Sequence, residues 1–354
     1  MKVLFPLLTL LISLIPGAYA ETRVSFDQKG EIPALVEKLK TSGKSAGAAV
    51  ARPAEAGTVP GFCIFNGKSG APLADEAAFR AVVKEADAVF SGESHDQLKD
   101  HLAQLEALKA LGAARGEKVV VGFEMLNMTL QPVLDEYAAG KLTDEEFLAK
   151  ADWKTEWGFD FNLYKPIFDF IRANKLKALA LNLPRKVVST IARAGLDGLS
   201  PEQKKYLPAK VEITKNEAYI KYIRDSFENH GKARADGEKA FLRRYILGGN
   251  KGMGDMFTFE NYLAAMSAWN EAMGARLADF LNANPGFAGQ VIAGAGHVIY
   301  NAGIPASVAS RAGGLRPVSF YPQDASACPA IFPAGDSGLA DFVWYIDHSA
   351  GRKP

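Results

Sequence analysis

Hydrophobic positions along this chain fall into two rhythms. Short, mainly apolar runs lie at 88–90, 119–123, 178–181, 291–293, 317–321 and 342–346. Between them, apolar residues recur every three or four positions. Runs of this length, bounded by glycine and proline, predict strands buried on both faces. The three-four spacing predicts amphipathic helices. Helices are expected over 75–87 (Phe79, Val82, Val83 and Ala86 inward), 97–115 (Leu98, Leu102, Leu105 and Leu108), 259–282 and 304–311. A short strand at 62–65, turning at Asn66-Gly67, precedes them. Thr143-Asp144-Glu145-Glu146 and Ser200-Pro201-Glu202-Gln203 read as capping boxes that start helices.

Strands alternating with helices predict an α/β fold, with a mostly parallel sheet flanked by helices. The stretch from about 126 to 282 is rich in helical pattern and crossed only by the strand at 177–182. It is expected to form an α-helical insertion or lid. The whole of 21–354 is expected to be one domain. Residues 211–247 read as helical, broken by a polar stretch near Gly231–Gly237.

The first twenty residues change this picture. Met1-Lys2, an apolar run from Val3 to Ile15, and Ala18-Tyr19-Ala20 form the n-region, h-region and cleavage site of a secretory signal peptide. Residues 1–20 are therefore expected to be removed, leaving a periplasmic or secreted protein. The run is short for a membrane span, and no later stretch is long and apolar enough to make one. No cysteine near the cleavage site offers a lipid attachment point. Over 354 residues the formal net charge is +1, which does not advertise nucleic-acid binding. The two cysteines, Cys63 and Cys328, either pair in the oxidising compartment or remain buried thiols.

Chemistry gathers where strands end. The run Ala88-Val89-Phe90-Ser91-Gly92 stops at Glu93, with His95 and Asp96 just behind. Glu124 ends the next strand, Arg185 follows Pro184 after the third, and His297 ends the fourth. In a parallel sheet these all reach one carboxyl edge, where ligands and catalytic groups collect. Asp96 is expected to cap the following helix, and His101 to face solvent. The set allows three chemistries: a divalent metal activating water, metal-free acid–base work, or the polar rim of a bound cofactor. The spacing is not that of a local zinc motif. Neither G-x-S-x-G nor a G-x-G-x-x-G helix opening is present, which argues against a serine hydrolase and a dinucleotide fold.

In order, Gly92-Glu93-Ser94-His95-Asp96, Gly122-Phe123-Glu124-Met125, Asn182-Leu183-Pro184-Arg185, and Gly294-Ala295-Gly296-His297 with Gly303-Ile304-Pro305 resemble the ChaN-like haem-binding uptake proteins. That family sits in a superfamily with TIKI/TraB and erythromycin-esterase-like proteins. The resemblance spans roughly 85–320. It implies an α/β core with a helical subdomain and haem binding linked to iron uptake. It also implies haem held at a homodimer interface on a tyrosine ligand, and work alongside an outer-membrane haem uptake system. Tyr164 is the first candidate ligand, followed by Tyr262 and Tyr245. Glu93, His95, Arg185 and His297 would line the polar end of the pocket, and the aromatic residues from Trp153 to Tyr164 part of its wall. Met253 lies in a stretch, Gly252–Phe257, that resembles the family's Met-containing loop. Met266 and Asn270 stand where the family usually carries a glutamine and an acidic residue. The family's lipoprotein signal is absent. The alternative is a hydrolase of the TIKI or erythromycin-esterase kind, using Glu93, His95, Glu124 and His297 with or without a metal.

Overall fold

A computed structural model describes residues 63–232 and 258–348. The expected signal peptide, Tyr245 and Met253 lie outside the described residues.

The apolar runs form strands of one seven-stranded sheet, with neighbours in the order β1-β7-β6-β2-β5-β3-β4. In chain order these are β1 (Ile64–Asn66), β2 (Ala88–Glu93), β3 (Val119–Asn127), β4 (Lys177–Asn182), β5 (Ala288–Gly294), β6 (Pro317–Asp324) and β7 (Phe342–Ile346). All pairings are parallel except β1 with β7. Every residue of β2 and β5 is buried, as expected of strands covered on both faces. The run at 342–346 is interior to the sheet. β7 pairs with β6 on one side and β1 on the other, so the three-residue β1 forms that edge.

The helices follow the three-four pattern. Those between β1 and β4 are α1 (Glu76–Glu85), α2 (Leu98–Arg115), α3 (Gln131–Ala138), α4 (Asp144–Lys150), α5 (Trp153–Glu156) and α6 (Phe161–Ala173). Later come α7 (Arg185–Ala194), α8 (Pro201–Lys204), α9 (Glu217–Lys232), α10 (Phe259–Ala283) and α11 (Ile304–Arg311). Asp75 caps α1 by accepting from the Ala78 N–H at 2.9 Å. Both capping boxes are present, at Thr143 with Glu146 and at Ser200 with Gln203. Asp96 does not cap α2. The N-cap is Gln97, whose side chain makes no capping bond, and the exposed Asp96 carboxylate accepts from the Gln97 side-chain amide instead. Residues 211–216, read as helical, form no helix before α9 begins.

Helical layers cover both faces of the sheet. Successive side chains of a strand point to opposite faces. In β5, Gly289 lies against Leu277 of α10, while the Gln290 amide donates to the Gln104 carbonyl of α2 at 2.8 Å. α2 packs against α1 and α6; α10 packs against α7 and α11. The described helices between 126 and 282 thus build on both layers. Among the described residues, no helix is long and apolar enough to cross a membrane.

Cys63 and Cys328 form a disulfide, with Cα atoms 5.7 Å apart across a sequence separation of 265. It fastens the start of β1 to the segment joining β6 and β7.

Candidate functional site

At the carboxyl edge of β2, Glu93 is buried to 1 % exposure and carries the densest hydrogen bonding around the site. Its Oε1 accepts from His95 Nδ1 at 2.8 Å and from the Tyr164 hydroxyl at 2.9 Å. Its Oε2 accepts from Gln104 Nε2 at 2.8 Å and faces His101 Nδ1 at 3.2 Å. Burial alone would raise the Glu93 pKa. His101 first and His95 second overcome it, so the carboxyl is held well below its usual range. The converse holds for His101. Burial opposes its charge, and Glu93 outweighs burial, raising its pKa. The result is a buried ion pair, which persists only because hydrogen bonds satisfy the remaining lone pairs and protons.

His101 was expected in solvent, yet it is 1 % exposed. The missed signal is its spacing with Gln104 and Leu108, at i, i+3 and i+7, which puts all three on the face α2 turns to the sheet. His101 Nε2 lies 3.2 Å from the His95 carbonyl, and Gln104 also donates to the Ser91 carbonyl at 3.1 Å. α2 therefore grips β2 through polar groups as well as leucines.

A second pair faces the first across β5. β3 loses register with β4 between Phe123 and Asn127, and such an irregularity re-aims side chains. There Glu124 turns toward β5. Its Oε2 accepts from the Gly294 N–H at 2.7 Å, and its Oε1 lies 3.2 Å from His297 Nε2. Burial raises the Glu124 pKa, but His297, supported by His95 and the Gly294 N–H, brings it below the usual range. His297 Nδ1 meets Asn270 Oδ1 at 2.7 Å, and the Asn270 amide donates to the Tyr219 hydroxyl at 2.8 Å. Asn270 thus holds His297. Asn182 Nδ2 donates to the Glu124 carbonyl at 2.6 Å.

Gly294 lets the two pairs meet. A Cβ there would lie 2.8 Å from His95 Cε1 and 3.5 Å from Glu124 Oε2. Only glycine leaves room for the imidazole and the second carboxylate to share that space. The sheet thus brings together four of the expected residues: Glu93, His95, Glu124 and His297.

Other expected site residues sit differently. Tyr164 is fully buried; its hydroxyl accepts from Trp157 Nε1 at 3.1 Å and donates to Glu93. Burial first, and Glu93 next, push its pKa well above the ordinary value. The Tyr164 hydroxyl, expected as an iron ligand, is engaged here with Trp157 and Glu93. Tyr262, the second choice, is buried in α10 with its ring 5.5 Å from Phe227. Arg185 is half-buried at the first position of α7, past the end of β4. The expected aromatic wall packs mainly on itself and on the histidines. Trp157 lies 4.6 Å and Phe159 5.1 Å from the His95 ring, and Trp153 lies 5.6 Å from Tyr164. Among the described residues, no group of three or more His, Cys, Asp or Glu is placed to hold a metal ion. Each site carboxylate is already taken by a histidine, so the metal-dependent form of the hydrolase alternative has no ready ligand set.

The outer rim is more open. Ala295 and Gly296 are half-buried, as are Phe159, Tyr222 and Tyr300. A Cβ on Gly296 would lie 3.4 Å from the Tyr222 hydroxyl.

The model for haem-binding uptake proteins of the Tiki superfamily, ChaN, matches residues 79–308. Among solved structures, the chain is similar to one described as cofacial heme binding to ChaN of Campylobacter jejuni. The identity is 17 % and the TM-score 0.57, covering 80 % of this chain and 96 % of that one. Looser likenesses are to the type III effector HopBA1, 11 % identical with a TM-score of 0.40 over 76 % of this chain and 92 % of that one, and to an erythromycin esterase mutant, EreC, in its open conformation. The latter is 15 % identical with a TM-score of 0.38, over 74 % of this chain and 77 % of that one. No curated protein matches the chain. The family match contains both Glu–His pairs, Asn182 and Asn270, and the ChaN likeness extends to the fold: this chain belongs to the haem-binding uptake family of the Tiki superfamily, ChaN.

Proposed function

We propose that this protein is an exported haem-binding protein that takes part in haem or iron uptake. The observation that carries the reading is the family match across 79–308, which spans the whole strand-edge constellation. The solved ChaN structure of the same fold is described as binding haem cofacially. An opening like a signal peptide, at 1–20, supports a periplasmic or secreted location.

The chain's own residues fit haem at the rim better than in the buried quartet. Glu93, His95, Glu124 and His297 are each at most 4 % exposed and paired with one another. They have no room for a porphyrin. Tyr222, beside the side-chain-free Gly296, and Phe159, beside the His95 ring, offer half-buried rings against which a flat apolar ligand would lie. Arg185, at the N-terminus of α7, would meet a propionate with both its own charge and the helix dipole. Haem would supply the iron to be carried. The protein would hold the ring, exclude water from one face and keep the quartet beneath it rigid. A homodimer closing over the rim, and delivery from an outer-membrane uptake system, belong to the same proposal.

The test is hemin titration of the mature chain followed by absorption. A saturable Soret shift near one haem per chain is expected, lost in Gly296→Phe, which fills the rim, and retained in folded Tyr164→Phe. Absence of any saturable shift would remove the reading.

A second reading rests on the two Glu–His pairs themselves. Two buried carboxylate–imidazole pairs meeting at Gly294 are a metal-free acid–base set, the chemistry of a hydrolase of the TIKI or erythromycin-esterase kind. It predicts ester turnover abolished by His297→Ala with the fold intact. No turnover on an ester panel by a folded, haem-free sample would count against it.

A further inference from the structure

The polar network does not stop at Glu93. In the first turn of α2, Asp100 is buried to 1 % exposure, and both its oxygens are used. Its Oδ2 accepts from the Ser94 N–H at 2.8 Å, and its Oδ1 accepts from His348 Nε2 at 2.7 Å. Ser94 is the residue between Glu93 and His95. His348 comes from beyond β7, separated from Asp100 by 248 positions in sequence. The turn that sets the angle between the Glu93 and His95 side chains is thus tied, through one carboxylate, to the far end of the chain.

That end is itself held. The His348 N–H donates to Asp324 Oδ1 at 3.1 Å, the Ala325 N–H donates to the Ile346 carbonyl at 3.1 Å, and Lys99 Nζ of α2 donates to the Asp347 carbonyl. The His348 ring is 7 % exposed, and the Asp100 side chain is fully buried. A buried carboxylate next to the turn is costly unless a cation satisfies it, and His348, when protonated, supplies one in direct contact.

We propose that His348 is a remote positioning residue of the site: by clasping Asp100 it fixes the Glu93-Ser94-His95 turn, so loosening of the C-terminal segment is felt at His95. The inference rests on the reading of that turn as part of the working site.

The charges around His348 give the clasp a direction in pH. It is faced by Asp100, with Lys99 and His101 alongside on α2, by Asp324 at the end of β6, by Asp96 before the helix, and by Asp347 beside it on its own segment. Burial lowers its pKa, but Asp100 and then Asp324 and Asp96 outweigh burial and raise it. A raised histidine pKa means that the ionic part of the clasp is complete below the ordinary histidine range, near 6.5, and is lost as pH rises through the higher folded value, while a neutral imidazole still has an N–H for Asp100.

The test reads the turn directly. Full chain carrying ring-labelled histidine is followed by NMR from mildly acidic to alkaline pH, and the five histidines are assigned by substitution. His348 is expected to titrate above the ordinary range, and the His95 ring to show an inflection at the same midpoint. His348→Gln, which keeps an N–H donor for Asp100 without the charge, is expected to fold and to lose that inflection in His95. A His95 ring that shows no inflection at the His348 midpoint in the wild-type chain overturns the proposal, and this arm needs no variant to fold. Hemin titration of the same samples separates the two readings. A coupled His95 without any Soret shift would leave the clasp standing and remove the haem reading. An uncoupled His95 with normal haem binding would do the reverse.

Discussion

Glu93 concentrates the energetics of the site, because one carboxylate serves two imidazoles, a phenol and an amide. Glu93→Gln leaves His101 without its counter-charge in a dry environment. A loss of about 3–5 kcal/mol is expected, the usual cost of breaking a buried pair from one side, read as a fall in the denaturant midpoint. The pH dependence follows from the directions of the shifts. Glu93 and Glu124 both have depressed folded pKa values, so their contribution is present above the unfolded carboxylate range and lost as pH falls through the folded values. Unfolding monitored against acid should therefore bring a decline in stability that Glu124→Gln, already deprived of its charge, shows less of. Gly294→Ala is a sharper test of geometry. With a Cβ 2.8 Å from the His95 ring, overpacking of roughly 1–3 kcal/mol is expected, and the His95 ring resonances should move while those of His348 stay. A Gly294→Ala protein as stable as wild type with an unmoved His95 would show that the two pairs do not share that space.

At the scale of elements, placement of the site depends on strand ends and on one irregularity. β2 and β5 end level with each other, Glu93 opposite Gly294, so Glu93 emerges where the ladder stops. β3 instead runs past its pairing with β5, which ends at Phe123 and Ile292. That release lets Glu124 take the Gly294 N–H, which would otherwise be bonded in a ladder. β1 is the shortest strand, three residues at an edge, and the disulfide anchors it where its ladder is short. Cys63→Ser is expected to lower stability by about 2–5 kcal/mol, with Cys328→Ser matching it, as measured by thermal unfolding under non-reducing conditions. Because α2 and β2 pack away from β1, the His95 and His101 resonances should change little. A large shift there would mean that the edge supports the site more directly than the contacts suggest.

For the whole molecule, the carboxyl edge of the sheet gathers groups from β2, β3 and β5 and from helices on both of its faces, α2, α6, α9 and α10, and a C-terminal residue braces it from behind. Much of this was legible in the chain itself. Mainly apolar runs dictated buried parallel strands. Three-four spacing dictated helices, and capping boxes marked where two of them start. Polar residues placed directly after apolar runs had to surface at the carboxyl edge, so Glu93, His95, Glu124 and His297 could be named before any coordinate. These features are local, set by backbone geometry and by the cost of burying polar groups. What only the tertiary structure decided was partnership. Which histidine neutralises which glutamate, that Tyr164 donates to Glu93, that Asn270 holds His297, and that Cys63 joins Cys328 all depend on contacts between residues far apart in sequence. His101 shows the reason most plainly. A histidine in an amphipathic helix is stable in water or in a core that supplies a counter-charge, and the choice turned on a glutamate at the end of a different element.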